Sequence, residues 1–185
     1  MKATGKTLSL RGTLSKKLDG QFTTDGQVIL EYANVLDLKK AWKVDYYSTW
    51  LQDYRNGGQS NDLSSLSIES FLATDSNIVD SANVKIANSP QDNRQIAWGN
   101  VMTFLGNGDK VNTTNVQSTW NQHYWIDPDH LVQNELRLFL RLGGTDVREG
   151  EDFNVNYIVY LREYEITPEE SIIQNVKSKA QDLSN

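Results

Sequence analysis

The chain of 185 residues contains no cysteine. This excludes disulfide bonds, thiolate metal ligands and a cysteine nucleophile, so the stability of the fold must come from packing alone. No apolar run approaches the roughly 20 residues that a membrane-spanning helix needs. The first residues, Met1 to Gly5, also lack the apolar core of a secretion signal. The sequence therefore predicts a soluble protein that is not exported.

Histidine is also scarce, and no pattern of a catalytic site is present. The two histidines, His123 and His130, flank Asp127 and Asp129, and imidazole and carboxylate groups are ligands that zinc and manganese accept. The same Asp-Pro-Asp stretch has the composition of a turn whose carboxylates accept backbone hydrogen bonds. We expect a turn here, and no catalytic, cofactor-binding or metal-binding residues in the chain. The protein is interpreted as a non-enzyme, with a metal centre at these four residues as the enzyme alternative.

Charge is distributed unevenly along the chain, whose net charge is −6. Residues 1–18 contain five basic and no acidic side chains, whereas the rest contains 13 basic and 24 acidic ones. A basic segment on an acidic body can neutralise nucleic acid or an acidic neighbour. We interpret residues 1–18 as a basic N-terminal arm that faces nucleic acid through Lys2, Lys6, Arg11, Lys16 and Lys17. The alternative is a solvated first strand that happens to be basic.

Apolar residues alternate with polar ones along much of the chain, which is the period of a β-strand. From Leu136 to Leu142 the leucines share one face, while Arg137, Phe139 and Arg141 share the other. The run 153–166 is apolar on both faces in its middle, which predicts a strand inside a sheet or between two layers. Further strands are predicted at 28–32, 40–52, 66–72, 96–105 and 120–126, with a brief strand at 84–86 and a short turn or helical piece at 34–39.

Two predictions concern how these strands connect. Residues 1–12 are expected to form an arm that pairs as an edge strand. Asp25-Gly26, between Phe22 and the strand at 28–32, predicts a hairpin turn because this dipeptide supplies positive φ angles.

Turn clusters rather than long helices separate the strands, which argues against a parallel sheet. We predict an all-β fold, an antiparallel β-sandwich of jelly-roll type with about eight strands and one C-terminal amphipathic helix. The basic arm is assigned to residues 1–18, the sandwich to 19–166 and the helix to 167–185.

The C-terminal helix has a clear start. Thr167 can cap the first free amides, Pro168 suits the first helical position, and Glu170 follows the cap by three residues. An apolar stripe follows on a segment too short to be stable alone, so it should pack on its own sandwich or on a neighbouring subunit. The stripe comprises Ile172, Ile173, Val176, Ala180 and Leu183, and all but Ala180 are predicted subunit contacts.

The order of elements from Leu136 onward carries a resemblance. A leucine strand over 136–140, a glycine loop, the strand 156–166 and an acidic capped helix resemble the end of single-jelly-roll capsid proteins of small icosahedral viruses. The resemblance implies a structural protein that self-assembles into a closed virion shell inside the host cell. It also implies a basic arm turned inward. The arm of this chain is weakly basic by comparison, a departure from the family's pattern that bears on genome binding and not on shell assembly.

Adjacent aromatic residues support contact with another surface. In the pairs Tyr46-Tyr47 and Tyr124-Trp125, neighbouring rings point to opposite faces of their strands, so one ring of each pair must point out of its sheet. Outward rings suggest a covering protein surface. They can also stack on sugar rings, so a carbohydrate-binding β-sandwich module that uses Trp120 or Trp125 is the alternative function.

Overall fold

The computed structural model describes residues 1–31, 39–52, 65–76, 89–104, 119–145 and 152–180. Eight strands and one helix occupy these ranges. They are β1 (Lys2–Lys17), β2 (Gln27–Glu31), β3 (Lys40–Leu51), β4 (Ser65–Ala73), β5 (Gln95–Phe104), β6 (Thr119–Ile126), β7 (Glu135–Thr145), β8 (Asp152–Glu165) and α1 (Pro168–Ala180). Residues 34–38 of the piece predicted at 34–39, and the whole piece predicted at 84–86, lie outside the described residues.

The strands form two antiparallel sheets. Sheet I has the order β1-β8-β3, and sheet II has the order β2-β7-β4-β5-β6. β1 pairs with β8, β2 with β7, and β4 with β5. Each pair is enclosed along the chain by the pair before it, which is the strand order of a jelly roll. The predicted all-β, antiparallel sandwich with a C-terminal helix is confirmed. The remaining pair of that order would be β3·β6, but β6 pairs with β5 instead.

The main core lies between the two sheets. On β7 the even-numbered leucines from Leu136 to Leu142 are fully buried, and on β8 Val155, Val159 and Leu161 face them from the other layer. These are the inward sets that the alternation predicted, so the faces of both strands are confirmed. β8 lies in the middle of sheet I, as its two-faced pattern indicated.

A smaller apolar cluster lies on the outer face of sheet II. Phe71 and Phe139 are stacked there with ring centroids 4.6 Å apart, and Phe22 meets the Phe71 ring edge-on at 5.3 Å. Phe22 forms an isolated bridge with Arg141 of β7. The connection between β1 and β2 therefore crosses this face and covers rings that would otherwise be exposed.

The hairpin predicted around Asp25-Gly26 is wrong. β2 pairs with β7, and Phe22 on the other side of the turn also pairs with β7. Gly26 does have a positive φ of 64°. A Cβ at Gly26 would lie 2.7 Å from the Phe139 ring, so the glycine serves a close approach to sheet II.

Residues 2–17 form one strand rather than a separate arm. β1 pairs with β8 from Lys2 to Lys17 and is an edge strand of sheet I, as predicted for residues 1–12. The register shifts between Ala3 and Thr7, where Gly5 has a φ of 83°. The side chains of Leu8, Leu10 and Leu14 pack against the main core.

Hydroxyl groups join the two sheets across the core. The Tyr47 hydroxyl donates to Ser70 Oγ, and Thr49 Oγ1 lies 3.3 Å from the same Ser70 oxygen. Burial raises the pKa of Tyr47 well above its usual value, so its hydroxyl remains protonated. The Tyr124 hydroxyl accepts from the Thr49 N–H at 2.9 Å and donates to the Thr49 carbonyl at 2.7 Å. One side chain of β6 therefore satisfies both backbone groups of Thr49 on the edge strand β3.

We expect Tyr124→Phe to destabilise the sandwich by about 1–3 kcal/mol, because it leaves the backbone N–H and C=O of Thr49 without this partner. Tyr46→Phe is the control, since Tyr46 lies on the outer face of the same region and is exposed. It should change the unfolding free energy by less than about 0.5 kcal/mol. Urea unfolding monitored by fluorescence measures both, and equal midpoints for the two variants would contradict the role given to Tyr124.

Candidate functional site

The C-terminal helix starts with the capping box that the sequence predicted. The Glu170 N–H donates to Thr167 Oγ1 at 3.2 Å, and the Thr167 N–H donates to Glu170 Oε2 at 2.9 Å. The Met1 amino group lies 3.0 Å from Glu170 Oε1. The Thr167 amide, together with this amino group, holds the pKa of the Glu170 carboxyl below its usual range. The cap therefore fixes where the helix begins.

A buried polar contact fixes which face of α1 meets the sandwich. Ser171 is 1% exposed and its Oγ accepts a hydrogen bond of 2.8 Å from Gln133 Nε2. Successive helical residues are rotated by about 100°, so Ser171 lies roughly 150° from the centre of the apolar stripe. The helix thus turns a polar side chain towards the sandwich and its apolar stripe away from it.

The stripe is exposed as a result. Ile172, Ile173 and Val176 have exposed fractions of 60%, 53% and 59%. We call these three residues the helix stripe. The side chain of Ala180, and all of Leu183, lie outside the described residues. The sequence predicted that the stripe would have to be covered, and the described part of the sandwich leaves it exposed.

A second exposed apolar surface lies on the outer face of sheet I. Tyr46, Trp50 and Tyr160 are 48%, 37% and 38% exposed, and the Tyr46 and Tyr160 rings are 5.8 Å apart. Ile158 lies on the same face of β8 and is half-buried. We call these four residues the sheet patch. Tyr47, next to Tyr46, is fully buried, so the opposite orientation of these adjacent rings is confirmed.

Basic side chains border the sheet patch. Lys43 and Arg162 are register partners on β3 and β8, one step from the tyrosine pair. Lys43 Nζ lies 5.9 Å from the centroid of the Tyr164 ring, and Arg162 Nη2 lies 2.7 Å from Asp45 Oδ2. The border of the patch is therefore polar and positively charged, with one acid bound to Arg162.

The exposed tryptophan of sheet II lies on a different side of the molecule. Trp125 is 57% exposed, and its ring stacks on His123 with centroids 5.5 Å apart. Tyr124 points inward to Tyr47, so the second predicted ring pair is also split between two faces. The side chain of Trp120 lies outside the described residues. Trp50 and Trp125 thus do not belong to one aromatic surface.

The five basic residues of β1 do not act as one group. Lys16 is buried and its Nζ binds both Asp19 oxygens at 2.7 and 2.9 Å. Lys6 Nζ lies 3.7 Å from Glu163 Oε1. Lys2, Arg11 and Lys17 are exposed. The structure therefore offers fewer available charges on this strand than the sequence suggested.

The histidine and aspartate residues of the proposed metal alternative are arranged as a turn. Asp127 Oδ1 accepts the Asp129 N–H at 2.9 Å, and Asp127 Oδ2 lies 3.9 Å from His130 Nδ1. His123 instead lies against Trp125. Within the described ranges, no three histidine, aspartate or glutamate side chains are grouped as they would be around a metal ion.

Comparison with known proteins adds no family. No protein-family model matches the chain, and no curated protein matches it. In the described part of the chain, no helix is long and apolar enough to cross a membrane. The helix stripe and the sheet patch, identified from geometry, are therefore the candidate functional surfaces.

The lowered pKa of Glu170 gives the helix a pH dependence. The ionised Glu170 carboxylate stabilises the start of the helix. This stabilisation is complete above the ordinary glutamate pKa and is lost as the pH falls through the lowered pKa of the folded state. Hydrogen exchange at the Thr167 and Glu170 amides should therefore accelerate on acidification, once the intrinsic pH dependence of exchange is removed. Glu170→Gln should abolish this response and Glu169→Gln should keep it. An unchanged response in Glu170→Gln would contradict the assignment.

Proposed function

We propose that the protein is a structural protein that self-assembles, a capsid subunit whose place is the virion shell. The observation that carries the proposal is the helix stripe, which points away from the sandwich because Ser171 takes the inward position. The jelly-roll strand order supports it, since viral capsid domains use this architecture. The resemblance of the C-terminal pattern to single-jelly-roll capsid proteins supports it from the sequence.

The free energy gained by burying the helix stripe is small for one contact, which suits an assembly of many copies. Full burial of an isoleucine or valine side chain is worth about 1.5–3 kcal/mol. Slightly more than half of each stripe residue is exposed, so covering all three would contribute about 3–5 kcal/mol as an upper estimate. Because association itself costs several kcal/mol, one such contact alone would bind with millimolar affinity at best. A closed shell gains stability because each subunit makes several contacts at once.

The carbohydrate-binding alternative has less support. Of the two tryptophans that this alternative uses, Trp125 has its ring stacked on His123, and the side chain of Trp120 lies outside the described residues. Trp50 lies on the outer face of sheet I, whereas Trp125 lies on the outer face of sheet II. The exposed aromatic residues of sheet I also adjoin aliphatic Ile158, as expected for a protein contact.

Replacing the helix stripe should abolish assembly without unfolding the subunit. The change is the triple substitution Ile172→Gln, Ile173→Gln and Val176→Gln, because glutamine is a good helix former and the three positions are exposed. Light scattering and negative-stain imaging should show assemblies for the wild type and single subunits for the variant. The matched control is Met102→Gln, an exposed apolar position on sheet II, which should still assemble. A wild type that stays monomeric at every salt concentration would refute the proposal.

We further propose that β1 binds nucleic acid inside the shell through its exposed basic residues. Arg11 and Lys17 are exposed on β1, the edge strand of sheet I on the side of β8 away from β3, and β1 contributes no residue to the sheet patch. For a single strand, each phosphate that the protein neutralises adds about 0.7 to the log–log slope of affinity against salt concentration. The double variant Arg11→Gln, Lys17→Gln should therefore reduce this slope by about 1.4 in filter binding. Arg137→Gln on sheet II is the control and should leave the slope unchanged. Equal slopes for the two variants would exclude β1 as the binding surface.

A further inference from the structure

We infer that the helix stripe of one copy packs on the sheet patch of a second copy. The inference rests on the proposed self-assembly and names the surface that receives the helix. Both surfaces are apolar and exposed in the same molecule. A helix laid on the open face of a sheet is also the usual way in which both elements bury their apolar sides.

Contact within one copy is disfavoured by distance and direction. β8 rises about 3.3 Å per residue, so Tyr160 lies roughly 17 Å back along the strand from Glu165, where β8 ends. α1 begins only after that end, at Pro168. Its buried face is held by the Ser171–Gln133 hydrogen bond. The helix stripe therefore faces away from its own sandwich, and the patch lies behind it.

The two surfaces match in size. The helix of 13 residues is roughly 20 Å long, and β3 and β8, the two strands that carry the patch, offer a face about 10 Å wide. An aromatic side chain has roughly 150–250 Å² to bury, and between a third and a half of that remains exposed in Tyr46, Trp50 and Tyr160. One contact is smaller than the roughly 800 Å² per partner of a standard interface. A subunit that both gives and receives a helix makes two such contacts.

The charges at the ends of the two surfaces are complementary. Glu169 is exposed and lies within the angular span of the helix stripe, at its N-terminal end. Lys43 and Arg162 border the tyrosine end of the sheet patch. A helix that enters over these two cations would place Glu169 beside them. The stripe would then continue over Tyr46 and Tyr160 towards Ile158 and Trp50.

The contact joins two different surfaces, so it is heterologous. Contacts of this kind close into rings when the rotation between copies permits, and otherwise continue as open filaments. Because each copy carries one stripe and one patch, every subunit of a ring is joined to two neighbours. Such a ring can serve as one building unit of a shell, which needs a second kind of contact to join the rings.

The absence of cysteine from the chain makes a cross-linking test clean. A variant with Ile173→Cys is mixed with a variant with Tyr160→Cys and oxidised under mild conditions. We expect a disulfide-linked pair containing one copy of each, because both positions are exposed and the inference brings them together. The control partner carries Trp125→Cys, which is on sheet II and more exposed than Tyr160, at 57% against 38%, and should not be linked to Ile173→Cys. Unfolding curves confirm that each variant is folded.

A third chain carrying both Ile173→Cys and Tyr160→Cys separates the outcomes. A link within this chain, without links between copies, would mean that the helix folds back on its own sheet and would overturn the inference. Failure of both links while the wild type assembles would also overturn it and leave the proposed self-assembly standing. A wild type that remains monomeric in light scattering would remove the proposed function, and the inference with it.

Charge reversal provides a second, independent measurement. Glu169→Lys should weaken assembly about two- to fivefold, as expected for a pair at the rim of an interface. Adding Lys43→Glu in the same chain should restore it, because the pair is then reversed. If the second substitution weakens assembly further instead of restoring it, Glu169 does not lie over this end of the patch.

Discussion

The Tyr124 hydroxyl at the edge of β3 is the contact on which the shape of the sandwich depends. In the nested order of a jelly roll, β3 and β6 are the remaining pair, and a backbone ladder between them would add a fourth strand to sheet I. Here one phenol satisfies the N–H and C=O of Thr49. β6 itself pairs with β5 and extends sheet II. The result is a sheet of three strands against a sheet of five.

A close approach between the layers makes this arrangement possible. Tyr47 and Tyr124 meet edge to face with centroids 5.2 Å apart, next to Gly99 of β5. A Cβ at Gly99 would lie 2.7 Å from the Tyr124 ring and 2.8 Å from the Tyr47 hydroxyl. The position can therefore hold only glycine without displacement of a ring. The hydroxyl of Tyr47 binds Ser70, which also lies next to Thr49. The space left by Gly99 therefore allows the hydrogen bonds that join the two sheets.

The sequence predicted the features that depend on neighbouring residues and missed those that depend on distant ones. Alternation identified the buried faces of β7 and β8, and the Thr167 capping box was visible because its two partners are three residues apart. The pairing of β2 with β7 was missed because the apolar surface that attracts Phe22 is built by Phe71 and Phe139, far away in sequence. For the same reason the stripe of α1 could be found but not its direction, which Gln133 determines.

Two small free-energy contributions compete to decide which face of α1 meets the sandwich: burial of the apolar stripe and the hydrogen bond between Ser171 and Gln133. Rotating α1 so that the stripe meets its own sandwich would gain part of the apolar contribution, but it would leave the buried Gln133 amide without Ser171, at a cost of about 1–3 kcal/mol. The cap at Thr167 and the buried Ile166 also fix the exit from β8. A helix of 13 residues is marginal alone, since most helical stability comes from packing of the apolar face. Covering the stripe with a second copy would therefore stabilise the helix and the contact together, and it would do so without breaking the polar bond that sets the orientation.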